Sequence, residues 1–192
     1  MVKLSAKCIV AGDSTVGKST LVQLFRSNGS HFLKNYSMTT NVDVVMKMVQ
    51  LSDTGDSVET FWKGSCDPGN AFYYQLDGSV HTKQWDQPGC FCLVYDITNE
   101  ASFNSCAKWL QKVRSKTSSP QLPGVLVGNK TDLLDRRAVD KMEAQEWAVR
   151  NGLEYFETSG KDLENFEQPF QSLAKAVHHM YQERMENFKS LV

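Results

Sequence analysis

The sequence predicts an α/β domain with a mostly parallel six-stranded sheet, one antiparallel edge strand and helices on both faces. Apolar runs of strand length alternate with stretches of helical period, the order that produces parallel strands joined by helices. The second and third runs are separated only by the turn S-D-T-G-D at residues 52–56, which favours a hairpin at one edge. A glycine-rich loop, G-D-S-T-V-G-K-S at residues 12–19, joins the first run to the first helix.

Composition restricts the class of protein. The 192 residues suffice for one domain with a full core, so a single domain over residues 1–192 is expected. A net charge of −1 gives no electrostatic argument for nucleic-acid binding. No run approaches the roughly 20 apolar residues of a membrane span, and no terminal C-a-a-X motif predicts a direct lipid anchor.

The cysteines indicate a reducing, cytoplasmic environment. They are odd in number, contain no C-x-x-C pair, and three lie in or beside apolar strand runs, so buried free thiols are expected. The five are Cys8, Cys66, Cys90, Cys92 and Cys106.

Six strands and four helices are predicted from the spacing of apolar residues and from the capping and turn residues at their ends. The strands are residues 3–11, 42–51, 58–62, 91–96, 124–128 and 153–157, and the helices are residues 18–26, 100–115, 141–151 and 166–188. The third helix opens with Asp140 and Glu143 in a capping-box pattern. Residues 63–84, rich in Gly, Asp, Ser and Tyr, show no helical period and are predicted to be irregular.

The last predicted helix carries an apolar stripe at helical spacing. We assign this stripe to core packing rather than to a groove for a partner, because helices usually bury one face. Its members are Phe166, Phe170, Leu173, Val177, Met180 and Phe188.

Residues 12–19 fit G-x-x-x-x-G-K-[ST], the phosphate-binding P-loop. Glycines turn backbone N–H groups inward at a helix N-terminus, where the helix dipole favours phosphate. Lys18 would reach the β- and γ-phosphates, and the Ser19 hydroxyl would ligate Mg²⁺. A chance match is disfavoured, because the strand and the helix stand on the correct sides of the motif.

Two further motifs specify guanine. N-K-T-D at residues 129–132 follows a buried run, at the end of a strand where open α/β sheets bind ligands. Asp132 would accept hydrogen bonds from N1–H and N2–H₂ of guanine, a paired donor edge that adenine lacks. E-T-S-G-K at residues 157–161 follows the next strand and would present N–H groups to guanine O6, although it is also an ordinary strand end.

Family resemblance adds to these motifs. Y-D-I-T-N-E-A-S-F at residues 95–103, followed by Trp109, is similar to the strand-to-helix passage of Rab proteins in the Ras superfamily of small GTPases. Residues 1–4, 36–40, 53–59, 122–133 and 157–159 resemble the Rab-like GTPases of intraflagellar transport complex B. The resemblance covers residues 1–60 and 85–192.

The resemblance implies a P-loop small GTPase fold, a single Ras-like GTP-binding domain, and GTP/GDP with Mg²⁺ as cofactors. Thr39 matches the first-switch threonine that closes on Mg²⁺ and the γ-phosphate. Phe32 resembles the aromatic residue beside the guanine ring, although an aromatic that covers the core is equally compatible. Relatives work in cilia with other complex B subunits, including a small β-sandwich partner.

Seventeen residues are candidates for nucleotide binding, and two of them, Ser19 and Thr39, are also the candidate metal ligands. They are Gly12, Asp13, Ser14, Thr15, Val16, Gly17, Lys18, Ser19, Thr20, Phe32, Thr39, Asn129, Lys130, Asp132, Ser159, Gly160 and Lys161.

One family motif is missing. Small GTPases carry D-x-x-G after the third strand, where the aspartate holds Mg²⁺ through water and the glycine senses the γ-phosphate. No D-x-x-G follows residues 58–62; D-Q-P-G at residues 86–89 precedes the next strand and is assigned to a turn. No glutamine has a register that would orient the attacking water. Nucleotide binding with slow or impaired hydrolysis is therefore predicted.

Three functions remain in competition. The first is a guanine-nucleotide switch with slow hydrolysis in intraflagellar transport, hence at most a weak GTPase. The second is a nucleotide-binding structural subunit that assembles with partners without switching. A small-molecule kinase is disfavoured by the N-K-T-D motif and by the absence of a lid-type arginine cluster.

Overall fold

The computed structural model describes residues 3–30, 44–51, 57–64, 88–117 and 121–190. Its strands are β1 (Lys3–Ala11), β2 (Val44–Gln50), β3 (Ser57–Gly64), β4 (Cys90–Asp96), β5 (Gly124–Asn129) and β6 (Glu154–Thr158). Its α-helices are α1 (Lys18–Arg26), α2 (Glu100–Asn104), α3 (Cys106–Arg114), α4 (Lys141–Arg150) and α5 (Gln168–Lys189). A 3₁₀ helix, Thr131–Arg136, was not expected from the sequence.

The predicted sheet is confirmed. The strands form one six-stranded sheet in the order β2-β3-β1-β4-β5-β6. β2 and β3 are antiparallel, and every other neighbouring pair is parallel. Because parallel strands end at the same edge, the segments that follow β1, β4, β5 and β6 all emerge on one side of the sheet.

Helices cover both faces of the sheet, as predicted. α1 and α5 pack on one face, where the Phe25 and Phe170 rings stack with their centroids 4.4 Å apart. α2, α3 and α4 pack on the other face, where Phe103, Trp109 and Ala144 are buried. The free thiols Cys8, Cys90, Cys92 and Cys106 are buried as expected, and Cys66 lies outside the described residues.

The helix predicted over residues 100–115 is two helices. α2 ends at Asn104 and α3 begins at Cys106, with Ser105 between them in helical conformation. The Ser102 hydroxyl donates to the carbonyl of Asn99 at 2.7 Å, a local bond of the kind that competes with regular helix. The α4 prediction is confirmed: the Asp140 carboxylate accepts from the backbone N–H groups of Met142 and Glu143 at 2.8 and 3.0 Å.

The assignment of the α5 stripe to the core is wrong at its end. Phe170, Leu173 and Val177 are buried, but Phe188 is 65% exposed. Every residue from 182 to 190 is exposed, because α5 extends beyond the part of the core on which its first turns pack. Within the described ranges, no helix has both the length and the apolar character needed to cross a membrane.

β3 is longer than predicted. It continues to Gly64, which pairs with Val10 of β1, so Lys63 and Gly64 belong to a strand rather than to an irregular segment. Parallel pairing with the long β1 extends the strand past the point where its apolar pattern stops. The remainder of the predicted irregular segment, residues 65–84, lies outside the described residues, as does the hairpin turn at residues 52–56.

Candidate nucleotide-binding site

Three segments meet at the carboxyl edge of the sheet. The glycine loop, residues 12–19, joins β1 to α1; the strand-end loops, residues 129–132 and 158–161, follow β5 and β6. Strand register brings Asp96 of β4, Asn129 of β5 and Thr158 of β6 side by side. Sequence motifs separated by more than a hundred residues therefore face one another.

Two glycines shape the glycine loop. Gly12 has φ = 147° and Gly17 has φ = 98°, values that L side chains rarely adopt. A Cβ on Gly12 would lie 2.1 Å from the carbonyl oxygen of Val94, and one on Gly17 would lie 2.2 Å from the Asn129 amide nitrogen. Thr15 also has a positive φ, 65°, although it is β-branched. The loop is thus held in a tightly specified backbone conformation.

Lys18 is folded back into the glycine loop. Its side chain is buried, with 3% of the residue exposed, and its ammonium donates to the carbonyl of Gly12 at 2.8 Å and to that of Asp13. The first residues of α1, including Ser19 and Thr20, follow directly, and the N-cap Gly17 has no side chain to cap the helix N-terminus. Backbone N–H groups and a lysine ammonium therefore converge at one helix end, an arrangement suited to an anion.

Asn129 joins the glycine loop to the sheet. Its amide nitrogen donates to the carbonyl of Val16 at 2.8 Å, and its amide oxygen accepts from the Thr158 hydroxyl at 3.1 Å. Asn129 is only 3% exposed, so both bonds lie out of water. The asparagine of the N-K-T-D motif consequently fixes the distance between the glycine loop and the two strand-end loops.

Lys130 is held by an acidic residue of β4. Its ammonium lies 2.6 Å from the Asp96 carboxylate, whose other oxygen accepts from the Thr98 backbone N–H at 2.9 Å and hydroxyl at 2.7 Å. Burial acts to raise the pKa of Asp96, but the hydrogen bonds from Lys130 and Thr98 outweigh burial and hold that pKa below its ordinary value. Lys130 also has φ = 72°, so its backbone and side chain are both constrained.

Asp132 is oriented by the loop after β6. One carboxylate oxygen accepts from the Ser159 hydroxyl at 2.8 Å, and the other lies 3.7 Å from the Lys161 ammonium. Ser159 is fixed in turn by reciprocal backbone bonds with Glu164. Gly160 is buried against α1, where an added Cβ would lie 3.2 Å from a methyl group of Thr20.

The structure thus brings together most of the predicted site residues at one edge. It places Gly12, Asp13, Ser14, Thr15, Val16, Gly17, Lys18, Ser19, Asn129, Lys130, Asp132, Ser159, Gly160 and Lys161 in the three adjoining segments, and Thr20 in α1 directly after the glycine loop. Phe32 and Thr39 lie outside the described residues. The sequence did not identify three residues that hold the others: Asp96, Trp109 and Thr158. Their sequence signals were indirect: Asp96 and Trp109 stand in the Rab-like passage, and Thr158 stands in the E-T-S-G-K motif.

The end of β3 and the start of β4 lie at different levels of the sheet. Gly64 pairs with Val10, immediately before the glycine loop, and the sequence continues S-C-D-P-G at residues 65–69. Gly89, the last residue of D-Q-P-G, donates to the carbonyl of Lys7, about 13 Å along β1 from its carboxyl end. Gly89 therefore lies far from the glycine loop. Asp86 and Gln87 of the same D-Q-P-G sequence lie outside the described residues, so its assignment to a turn stays a prediction.

Comparison with known proteins agrees with this geometry. Residues 7–179 match the Ras family. The chain is 57% identical over 192 residues to the intraflagellar transport protein 27 homolog of Bos taurus, with both chains fully covered. It is 36% identical to intraflagellar transport protein 27 of Chlamydomonas reinhardtii, over 97% of this chain and 90% of the relative. It is 33% identical to the Ras-related protein Rab-7a of Paramecium octaurelia, over 89% of this chain and 80% of the relative.

These matches extend over the glycine loop and both strand-end loops, and four-fifths or more of each relative is covered. The chain therefore belongs to the Ras family, and within it to the Rab-like proteins that carry the name intraflagellar transport protein 27.

Proposed function

We propose that this protein binds GTP and GDP at the carboxyl edge of the sheet and serves intraflagellar transport. The observation that carries the nucleotide proposal is the pair of bonds made by Asn129, which hold the glycine loop against the strand-end loops. The phosphate-binding loop and the base-binding loops would be held at a fixed distance from each other, because the buried side-chain amide of Asn129 is bonded to both.

The geometry favours guanine over adenine. The Asp132 side chain is 9% exposed, and its carboxylate is held in place by Ser159 and Lys161. A guanine would give it two further N–H donors, N1–H and N2–H₂, whereas adenine has no such paired donor edge to offer this carboxylate. Lys130, anchored by Asp96, would contribute its aliphatic stem to the same pocket.

Mg²⁺ would be bound mainly through phosphate oxygens. Among the described residues no group of three His, Cys, Asp or Glu side chains is arranged to hold a metal ion. Mg²⁺ commonly uses one or two protein oxygens together with phosphates and water, so a nucleotide-bound ion needs few protein ligands. The hydroxyls of Ser19 and Thr39 are the protein ligands we propose, and the ion would offset phosphate charge there.

Hydrolysis is proposed to be slow. β3 ends at Gly64, which pairs with Val10 just before the glycine loop. The sequence directly after Gly64 has neither the D-x-x-G motif nor an identified water-orienting glutamine. Losing such contacts costs on the order of 10²–10³-fold in rate per lost donor. The alternative that this observation also supports is a structural subunit that binds nucleotide without switching.

The cellular role is proposed from relatives whose names refer to intraflagellar transport. We propose that this protein acts in the cilium as a subunit of intraflagellar transport complex B and pairs there with a small β-sandwich partner. Purification of the tagged protein from ciliated cells, followed by identification of bound proteins and nucleotide, tests this role. Recovery without any transport subunit would reject it.

Guanine recognition is tested with substitutions at Asp132. Asp132→Ala is expected to weaken GDP binding about 100-fold, on the scale of a lost pair of hydrogen bonds to a charged group. Asp132→Asn adds an N–H donor and should transfer preference to xanthosine diphosphate, which has a carbonyl where guanine has its amino group. Calorimetry measures both affinities, with Asp135→Ala, an exposed carboxylate of the same 3₁₀ helix, as control. Unchanged GDP affinity in Asp132→Ala would refute the base assignment.

Switching is tested by single-turnover hydrolysis. Purified protein is loaded with GTP and Mg²⁺, and released phosphate is followed for hours alongside the affinities for GTP and GDP. A slow but measurable release with unequal affinities supports the switch. Equal affinities and no release support the structural subunit.

A further inference from the structure

The glycine loop contains a carboxylate of its own. Asp13 directly follows Gly12, in the loop whose N–H groups and lysine are proposed to bind phosphate. A carboxylate in that position competes with phosphate for the same donors and repels it. The direction of the Asp13 side chain therefore matters for binding.

Asp13 is turned toward helix α3. Its Oδ1 accepts a hydrogen bond from the indole Nε1–H of Trp109 at 2.8 Å, across 96 residues of sequence. A second observation agrees: burial, and next the negative charge of Asp13, raise the pKa of the Cys106 thiol to about 12. Cys106 lies one turn before Trp109 on α3, so the Asp13 charge is directed at this helix.

Trp109 is well placed to restrain that charge. It is 3% exposed and packed in the core cluster beneath α2, α3 and α4, so its ring is fixed by its neighbours. The indole N–H is a donor only and requires an acceptor when buried, and a carboxylate is a strong one. The Lys112 ammonium lies over the Trp109 ring, 5.6 Å from the ring centroid.

Asp13 is therefore attached at two points. Its side chain is bonded to Trp109, and its backbone carbonyl accepts from the ammonium of Lys18. A shift of α3 would therefore move Asp13, and through Asp13 it would move Lys18, the lysine proposed to bind phosphate.

We propose that Trp109 is a positioning residue for the phosphate site: its indole N–H holds the Asp13 carboxylate against α3 and keeps that charge away from bound phosphate. This inference rests on the proposed function, and it adds a residue outside the P-loop to the determinants of nucleotide affinity.

The test is a double-mutant cycle. Trp109→Phe keeps a ring but loses the donor, and should lower GDP affinity about tenfold, the scale of one hydrogen bond to a charged group. In the Asp13→Asn background the same change should cost less than about twofold, because no charge remains to be restrained. Trp147→Phe, on the same face of the sheet, is the control tryptophan.

The dependence on phosphate number separates positioning from general damage. The loss in Trp109→Phe should increase from GMP to GDP to GTP, because each phosphate adds charge for a released Asp13 to repel. Trp109→His retains a ring N–H and should lose less GDP affinity than Trp109→Phe. Thermal unfolding without nucleotide verifies that each variant is folded.

The outcomes distinguish the two proposals. If the wild-type protein does not bind GDP, the proposed function fails. If it binds GDP but Trp109→Phe lowers affinity equally in both Asp13 backgrounds, equally for all three nucleotides, or no more than Trp109→His, Trp109 has only a structural role and the inference is overturned.

Discussion

The glycine loop and the strand-end loops are constructed by different physical means. In the strand-end loops, side chains position other side chains: Asp96 holds Lys130, and Ser159 holds Asp132. In the glycine loop, the backbone itself is the binding surface, and its shape depends on φ values that only glycine adopts easily. Single substitutions in the strand-end loops should therefore weaken nucleotide binding by degrees. A side chain introduced at Gly12 or Gly17 should instead disrupt the whole glycine loop.

The largest expected effect comes from Gly17→Ala. The new Cβ would carry left-handed strain and would displace the Asn129 amide from Val16, for a loss of about 3 kcal/mol in unfolding free energy. GDP binding should be abolished, because both sides of the site are separated at once. Urea unfolding and calorimetry measure the two effects.

Gly152→Ala is the matched control for that substitution. Gly152 has φ = 67°, but nothing lies within 4 Å of its added Cβ, so only the strain of about 1 kcal/mol remains. Equal destabilisation by the two substitutions would show that Asn129 is not held against Gly17 as described.

Asn129→Ala is expected to cost about 2 kcal/mol and to weaken GDP binding at least tenfold. It leaves the Val16 carbonyl and the Thr158 hydroxyl without their buried partner. The control is Asn151→Ala, since the Asn151 amide also donates to a backbone carbonyl at 2.8 Å, but after α4 and away from the site. A similar loss of GDP affinity in both variants would contradict the role given to Asn129.

Asp96→Asn tests the ion pair behind Lys130 through pH. Because the folded pKa of Asp96 is below its ordinary value, its charge stabilises the fold above about pH 4, and this contribution is lost as pH falls further. The variant should be about 1 kcal/mol less stable at neutral pH, and the difference should shrink below pH 4. A difference that stays constant during acid unfolding would refute the assignment.

The smallest expected effect is a gain. Thr15→Gly removes the strain of a β-branched residue at φ = 65° and should raise the unfolding free energy by about 0.5 kcal/mol, after the added flexibility of glycine is subtracted. Ser14→Gly, at a position without a positive φ, should lower it. Thermal melts of both variants provide the measurement, and a stability loss in both would show that Thr15 is unstrained.

Strong local patterns predicted the elements that carry the motifs. β1 and α1 have the predicted bounds, because an apolar run and a helical face flank an unambiguous glycine loop. The end of β3 and the exposure of Phe188 were not predictable, since each depends on how far a neighbouring element extends rather than on its own residues.

The same limit applies to the site. The P-loop motif identified Lys18, and the N-K-T-D motif identified Asn129 and Asp132, because each motif is a short continuous sequence. Asp96 and Trp109 act on partners 34 and 96 residues away, so the Rab-like passage that contains them does not indicate what they hold. Their roles follow from the tertiary structure, in which the end of β4 lies beside the end of β5 and Trp109 of α3 is bonded to Asp13 of the glycine loop.

The anchoring of β3 and β4 on opposite sides of β1 has a consequence for sequence variation in this domain. Gly64 is fixed beside Val10 and Gly89 beside Lys7, so the two attachment points are about 14 Å apart, with β1 between them. Pairing with β1 fixes these two points, and the base-recognition motifs follow β5 and β6 on the far side of β4. A change in sequence or length between Gly64 and Gly89 is therefore expected to alter hydrolysis more than guanine binding.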